Sequence, residues 1–533
     1  MAETCLIGHA AAPGLAIGPV TLLTSAARRR EASGDPAEEA AALKQAVEQA
    51  VAELAKLIAT VKGEAADMLE FQVALLQDEA LTEGAFDAIA AGIAADHAWR
   101  AALDAEIADY GAAADEYFRA RAADLQDIRD RVLAQLGGVS RAAPINGGSI
   151  VACDELTPSA FLAADWSRGG AIAAMAGSPS SHVAMLARAR GAPMVVGLGP
   201  LPWPSASPPS LALLDGDAGT VIFDPDPETR RQFEQRMAAA NAARLAADTG
   251  RLSPAYTANG RRITVLLNIA APEELDGLDP GICDGIGLVR TEFLFEAAQG
   301  LPDEDLQYAV YRRILQWAEG RPVTIRTLDA GGDKPIAGLT VDGERNPFLG
   351  VRGIRLSLAR PDVFAVQLRA LCRAAVHGHL KVMLPMVAVR GELERANAMM
   401  DAAFAALQAT GSACARPPLG IMVEVPAAAL RARDFDAAFY SIGSNDLTQY
   451  TMAAARDIGA VAALNDTGHP AVLALIESTV AAGRERGVEV SLCGDAAAET
   501  RLTPALLSTG LTQLSVAPIA VARLKAAIAK VAP

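Results

Sequence analysis

Six residues able to do chemistry stand at the ends of short apolar runs in the C-terminal half of this 533-residue chain: Arg290, Arg326, Glu424, Asn445, Asp446 and Cys493. Arg290 and Arg326 offer planar, bidentate forks suited to phosphate or carboxylate. Lys334 and Arg456 can add positive charge. Glu424 and Asp446 are two carboxylates beside that cluster, a combination that suits Mg²⁺, which takes few protein oxygens and completes its shell with substrate and water. Any one arginine taken alone reads as half of a surface ion pair. Cys493, in "SLCGDA", reads equally well as a small buried hydrophobe and as a proton donor.

A seventh residue stands apart. His182, one of six histidines, lies in "GSPSSHVAMLARARG" (177–191), where a turn gives way to a helix-like run. Ser180 or Ser181 can cap that helix, and the free N–H groups of its first turn favour an anion. A histidine there can hold a phosphoryl group, or it can be a capped, exposed histidine with no chemistry.

The elements that must position these residues fall into distinct stretches. Residues 10–24 read as strand and turn, and the same α/β character resumes at "GGSIVACDEL" (147–156). Between them, residues 31–140 are Ala- and Glu-rich; in "EEAAALKQAVEQAVAELAKLIATV", Leu43, Val47, Val51, Leu54, Leu57 and Ile58 recur at helical spacing. Weak breaks near Gly63, Asp78, Gly92 and Gly111 suggest a bundle of about four helices inserted into the α/β domain. Residues 226–258 read as a helical linker. From 259 to 533 eight strand-like runs alternate with mostly helix-length segments, at 263–269, 285–293, 323–329, 380–387, 420–426, 438–446, 488–496 and 513–518. That pattern predicts a (β/α)₈ TIM barrel, whose reactive residues sit at the C-terminal strand ends, where all six residues above fall. Six polar groups converging on one rim are not explained by structure alone, since each must otherwise be compensated at a strand end.

Composition narrows the partners. The net charge of −16 argues against nucleic acid. Residues 31–140 hold 22 Asp and Glu against 8 Lys and Arg, a net −14. That is either a solvated helical face or a docking surface for a basic protein. No run of about 18 apolar residues predicts a membrane span, and the start lacks a basic segment ahead of an apolar one, so no secretory signal is expected. Six scattered cysteines with no CxxC pair read as reduced thiols in a cytoplasmic protein.

Taken together, "SSHVAMLARARGAPMVVG", "GIGLVRTEFLF", "RTLDAGGDKP", "NPFLGVRGIR", "IMVEVPAAA", "FYSIGSNDLTQYT" and "CGDAA" resemble Enzyme I of the phosphoenolpyruvate-dependent phosphotransferase system, over essentially the whole chain and in the same order. The resemblance implies a swivelling phosphohistidine α/β domain (1–30 and 141–225) with an inserted helical domain (31–140) that docks the phosphocarrier protein HPr, a linker (226–258), and a phosphoenolpyruvate-binding barrel (259–533) that also dimerises. It implies that His182 is the phosphorylated histidine. Arg290, Arg326 and Arg456 match the substrate-binding arginines, Asn445 with Asp446 the substrate-binding pair, Glu424 with Asp446 the magnesium ligands, and Cys493 the proton donor.

The chain departs from the family pattern in four places. Before the Ser-His pair, where the family usually has Gly-Gly and Thr, the positions read Gly177, Ser178 and Ser180; Ala455 stands where an Asp usually precedes the arginine, Asp495 replaces a Glu, and Phe71-Gln72 stands where the family often has Gly-His in the helical insertion. Two other functions stay open at this point: a dikinase-like enzyme without its nucleotide domain, and a non-catalytic regulatory protein that senses phosphoenolpyruvate.

Overall fold

The computed structural model describes residues 3–23, 32–59, 64–112, 116–137, 145, 147–166, 168–179, 181–200, 209–296, 300–332, 336, 338–341, 343–455, 461 and 464–532. The chain divides into two units, residues 1–240 and 241–533.

The first unit is built on an eight-stranded sheet. Its strands are β1 (Thr4–Ile7), β2 (His9–Ala12), β3 (Leu15–Leu23), β4 (Ile150–Cys153), β5 (Ala171–Ala174), β6 (Met194–Val196), β7 (Leu211–Asp215) and β8 (Thr220–Phe223), in the order β1-β8-β7-β3-β4-β5-β6-β2. β3 and β4 run parallel, from Val20 opposite Ile150 to Leu23 opposite Cys153. The chain therefore leaves the sheet after β3 and returns beside it, with the helical segment between.

That segment forms five helices: α1 (Pro36–Ile58), α2 (Glu64–Gln77), α3 (Glu79–Ala90), α4 (Ala95–Ala112) and α5 (Glu116–Leu136). Five rather than about four form because each of the four expected breaks separates two helices; at one of them Asp78 alone parts α2 from α3, its N–H closing on Leu75 O in a tightened last turn. The break expected near Gly111 is also present: α4 ends at Ala112, one residue further on. Asp35 caps α1 by accepting from Ala37 N, with Pro36 behind it at the first helical position. The side chain of buried Glu39 accepts from Ser33 N and from Ala95 N, so one carboxylate ties the start of α1 to the start of α4. Leu43, Leu54, Leu69, Trp99, Leu103, Ile128 and Val132 fill the bundle core. Each buries about 1.5–3 kcal/mol of apolar surface.

Gln72 of α2 is fully buried and donates to Asp124 and Asp127 of α5. Asp127 also accepts from Ser159 Oγ at 2.8 Å, at the start of α6 (Pro158–Ala163). The Phe71-Gln72 departure thus has Gln72 in an internal cross-link between bundle and α/β layer. After α7 (His182–Arg190) and the remaining strands, α8 (Pro227–Gly250) carries the chain across the boundary between the units.

In the second unit β9 (Ala255–Tyr256) pairs antiparallel with β10 (Arg262–Ile269). β10 is followed by β11 (Ile286–Val289), β12 (Val323–Arg326), β13 (Leu380–Leu384), β14 (Leu419–Val423), β15 (Phe439–Ile442), β16 (Glu489–Leu492) and β17 (Gln513–Val516). β10 to β17 are parallel, and β17 pairs with β10, so eight strands close into a barrel. Each of the eight predicted runs overlaps one of these strands, six of them containing it whole. Alternate residues face outward, and Val265, Ile325, Val382, Ile421, Ile442 and Leu514 join the large core under the surrounding helices. A smaller interior cluster comprises Leu288, Met383, Met422, Phe439 and Cys493. No helix of the described residues is long and apolar enough to cross a membrane.

Candidate active site

The C-terminal ends of the barrel strands carry an alternating set of buried charges. Arg326 ends β12, and its guanidinium is 6% exposed. Nη2 donates to Glu292 Oε1 at 2.9 Å and Nη1 pairs with Asp329 Oδ2 at 3.0 Å. The loop after β12 is held from outside: Gln367 accepts from Leu328 N and donates to Thr291 Oγ1, which donates in turn to Arg326 O. Glu292 and Asp329 are not among the residues expected from sequence. Neither is Arg352, which is 1% exposed and shares Asp329 Oδ2 with Arg326. Its guanidinium donates to both oxygens of Asp329 and both of Asp446, at 3.1–3.3 Å. Burial works against the charge of each arginine. The carboxylates of Glu292, Asp329 and Glu424 outweigh it for Arg326, and those of Asp329, Asp446 and Glu424 for Arg352, so both are held above their ordinary range.

Glu424 follows β14 and Asp446 opens the helix after β15, so the two carboxylates stand at neighbouring strand ends. Gly443 makes room for the first: a Cβ there would lie 2.7 Å from Glu424 Oε2. Glu424 Oε1 accepts from Met386 N at 2.6 Å. Burial, then the like charges of Asp446 and Asp329, push the Glu424 carboxyl up to about 8. Among the described residues no group of three or more His, Cys, Asp or Glu is arranged to hold a metal. Two crowded, buried carboxylates nevertheless fit a cation that keeps water and substrate oxygens in its shell, since such a cation relieves their repulsion.

Cys493 follows β16 and is 5% exposed. Its sulfur accepts from Ser441 Oγ at 3.2 Å. Burial pushes the thiol up to about 11; the Ser441 hydroxyl and the Arg326 and Arg290 charges pull it down, and Glu424 raises it. The thiol therefore keeps its proton near neutrality, the state a general acid needs. Arg290 is exposed at the end of β11. Asn445 is locked to Asp495: Nδ2 donates to Asp495 Oδ2 and Oδ1 accepts from Asp495 N, both at 2.9 Å. At this rim two buried polar atoms, Glu292 Oε2 and Arg326 Nε, have no protein partner, as expected where a polar ligand completes the set.

The structure thus brings Arg290, Arg326, Glu424, Asn445, Asp446 and Cys493 to one mouth. Lys334 and Arg456 lie outside the described residues. His182 is the first residue of α7 in the other unit. Ser181 is the cap, its Oγ accepting from Ala184 N at 3.3 Å, and Gly191 ends the helix at φ 66°; Ser180 lies outside the described residues. Arg188, one helix face away, donates to Ala11 O and Pro179 O, which fixes the turn leading into His182. Val183, Ala184 and Ala187 seat α7 in the core beside Ile172 and Met194.

Comparison with known proteins agrees with this layout. Residues 246–532 match the PEP-binding domain of PEP-utilising enzymes, residues 7–121 the N-terminal domain of those enzymes and residues 145–219 their mobile domain. The chain is 37% identical to the phosphoenolpyruvate-protein phosphotransferase of Streptomyces coelicolor, over 99% of this chain and 94% of that protein. It is 38% identical to the protein of the same name from Haloferax volcanii, over 88% and 83%, and 39% identical to that from Geobacillus stearothermophilus, over 78% and 73%. With a phosphoenolpyruvate-binding barrel, a mobile domain that starts a helix on a histidine, and likeness that runs nearly end to end, this chain belongs to the family of phosphoenolpyruvate-protein phosphotransferases.

Proposed function

We propose that the chain takes the phosphoryl group of phosphoenolpyruvate onto His182, releases pyruvate, and passes the group to a histidine of an HPr-type phosphocarrier, the first step of a phosphotransferase system. The observation that carries this reading is the presence at one rim of buried arginines and a buried thiol, whose burial favours its protonated form. Arginines alone bind an anion, whereas a thiol kept neutral at pH 7 can also quench an enolate.

Arg290 and Arg326, with Lys334 and Arg456 as further cations, bind the phosphate and carboxylate of the substrate, and Asn445 with Asp446 orients it. Mg²⁺ held by Glu424 and Asp446 would neutralise phosphate oxygens as a Lewis acid. A ring nitrogen of His182 attacks phosphorus in line, so that an N–P bond forms as the bridging O–P bond breaks. The S–H bond of Cys493 breaks as a C–H bond forms on the enolate methylene, giving the methyl group of pyruvate. The arginine charges stabilise the developing enolate before that transfer.

Transfer onward requires His182 to move from the barrel to the acidic helical domain, so the linker must act as a joint. Lys525 donates to Arg251 O and Ser253 O, tying the end of the linker to the barrel's last helix. We infer that the joint lies on the N-terminal side of those contacts. A cytoplasmic homodimer, in sugar uptake, completes the reading.

The test is direct. Purified protein with Mg²⁺ and ³²P-labelled phosphoenolpyruvate should acquire acid-labile label and release pyruvate, and should lose the label to HPr. Labelling from ATP without phosphoenolpyruvate would favour dikinase-like chemistry, and binding without pyruvate release a sensor.

A further inference from the structure

The barrel interior holds a line of hydroxyls that the chemistry at the rim does not consume. Ser441 on β15 and Ser491 on β16 stand opposite one another in register, and both are buried. Ser491 Oγ donates to Ser441 Oγ at 3.1 Å, and Ser441 Oγ donates to Cys493 Sγ at 3.2 Å. The thiol directs its own hydrogen to Ile442 O, 3.6 Å away. Both hydroxyl hydrogens therefore point toward the sulfur. At the other end of the line, the N-terminal mouth of the barrel encloses a cavity of about 310 Å³. Ser491 lines it together with Thr324, His379, Lys381, Glu489 and Gln513. That volume holds several waters at roughly 30 Å³ each, among enough polar partners to keep them. Of the barrel's other interior residues, Leu288, Met383, Met422 and Phe439 are apolar, and the Asn268–Ser515 pair reaches only the backbone oxygen of Cys493, so the two serines are the hydroxyl path to the sulfur.

We propose that Ser491 and Ser441 form a proton relay that reloads Cys493 from the N-terminal mouth of the barrel, opposite the substrate. The proposal rests on Cys493 being the acid that protonates the enolate. Once it has done so, a thiolate is left in a buried site with pyruvate covering the rim. The relay returns the proton in three coupled transfers. Sγ takes the hydrogen of Ser441 Oγ, Ser441 takes that of Ser491 Oγ, and Ser491 takes one from a hydronium or buffer acid in the cavity. One S–H and two O–H bonds are re-formed and the solvent acid gives up one proton. His182 loses its ring proton to solvent in the other half of the reaction, so the overall exchange is neutral. Ser441 and Ser491 touch no substrate and act through Cys493.

The test reads isotopes. Enzyme, Mg²⁺, phosphoenolpyruvate and protiated pyruvate are mixed in D₂O, and the methyl group of pyruvate is followed by mass spectrometry at early times. With the relay, Cys493 exchanges its proton for a deuteron while pyruvate is still bound, and one encounter yields doubly and triply deuterated methyl groups. Ser491→Val and Ser491→Thr differ in a methyl against a hydroxyl at equal volume. The ratio of multiply to singly deuterated pyruvate should fall about tenfold or more in the Val variant and recover in the Thr variant. The pair Ser441→Val and Ser441→Thr repeats the comparison should one site not tolerate the larger side chain, as judged by melting. Val variants that deuterate pyruvate as the Thr variants do would overturn the relay, while loss of exchange in Cys493→Ala would still uphold the thiol as the acid. Wild-type exchange in Cys493→Ala would overturn both.

Discussion

Arg352 bridges two carboxylates that sequence distance separates widely: its Nη2 lies 3.1 Å from Asp329 Oδ2 and 3.3 Å from Asp446 Oδ2. It thereby couples the loop after β12 to the helix that begins after β15. Removing one member of a buried ion-pair network leaves the others uncompensated, at a cost of about 3–5 kcal/mol. Arg352→Met should lose that much from the denaturant-induced unfolding of the barrel and raise the KM for phosphoenolpyruvate. Arg352→Lys keeps the charge but cannot address two carboxylates with one planar fork, so it should fall between. An Arg352→Met barrel that unfolds at the wild-type midpoint would show that the bridge is not under load.

His182→Ala should abolish phosphoenzyme formation and transfer without unfolding the first unit. The helix start is capped by Ser181 and seated by Val183, Ala184 and Ala187, none of which the substitution touches. The check is an acid-labile label together with the thermal midpoint. A mutant that still takes up acid-labile label would remove His182 from the reaction.

Glu424→Ala and Asp446→Ala should each abolish Mg²⁺-dependent pyruvate formation, yet differ in stability. Asp446 also accepts from Arg352, so its loss strands part of a buried cation. Glu424 is crowded by Asp446 and Asp329, so its loss relieves repulsion. The thermal midpoint should therefore drop further for Asp446→Ala than for Glu424→Ala. Turnover in either mutant with an unaltered metal requirement would end the metal assignment.

The rim positions were legible because a parallel barrel strand is a short apolar run and the residue after it is forced to the C-terminal face. Arg290, Glu424 and Cys493 could each be read in that way. Asp329 was within reach of the same logic, three residues after Arg326 in "RTLD", but a carboxylate following an arginine also reads as a local ion pair. Arg352 was not legible. It lies 26 residues beyond Arg326 on a long connection, and its place depends on how that loop folds back. The turn after it needs Gly353 at φ 58°, where a Cβ would lie 2.8 Å from Met386 Cβ. That is a tertiary contact which no periodicity encodes. The helical insertion was legible to its breaks: the boundaries near residues 63, 78, 92 and 111 all separate helices, and four breaks make five helices where the count was set at about four.

The state of Cys493 has its own signature. Its thiol sits at about 11 where an ordinary one lies near 9, chiefly through burial. The folded protein therefore binds this proton more tightly than the unfolded chain. The stability so contributed is fully present below pH 9 and is lost as pH rises through 11. At pH 8 the thiolate fraction is on the order of one in a thousand. Iodoacetamide should label exposed Cys5 readily and Cys493 barely, and Cys493 labelling should climb roughly tenfold per pH unit toward pH 11. Rapid labelling of Cys493 at pH 7 would show that the thiol is not held protonated.

The helical domain supplies the last prediction. Residues 31–140 carry −14 of the chain's −16, yet phosphoenolpyruvate is itself an anion, and the arginines proposed to bind it belong to the barrel. Three of the acids, Glu39, Asp124 and Asp127, are buried and engaged in internal bonds, so they hold the bundle together and offer nothing to a partner. Glu53, Asp104 and Asp130 pair with Arg131 and Arg129 of the same domain, and the remaining acids are left to serve solubility or attract a basic surface. If they attract the phosphocarrier, complementary charge speeds encounter, and screening over about 8 Å at physiological ionic strength weakens it. Transfer from the phosphoenzyme to HPr, followed by stopped flow, should slow by about tenfold between low and high salt. Pyruvate formation should slow less, because its charges are paired inside the barrel rim. Equal salt dependence of the two half-reactions, or none in either, would reduce the acidic face to a solubility device.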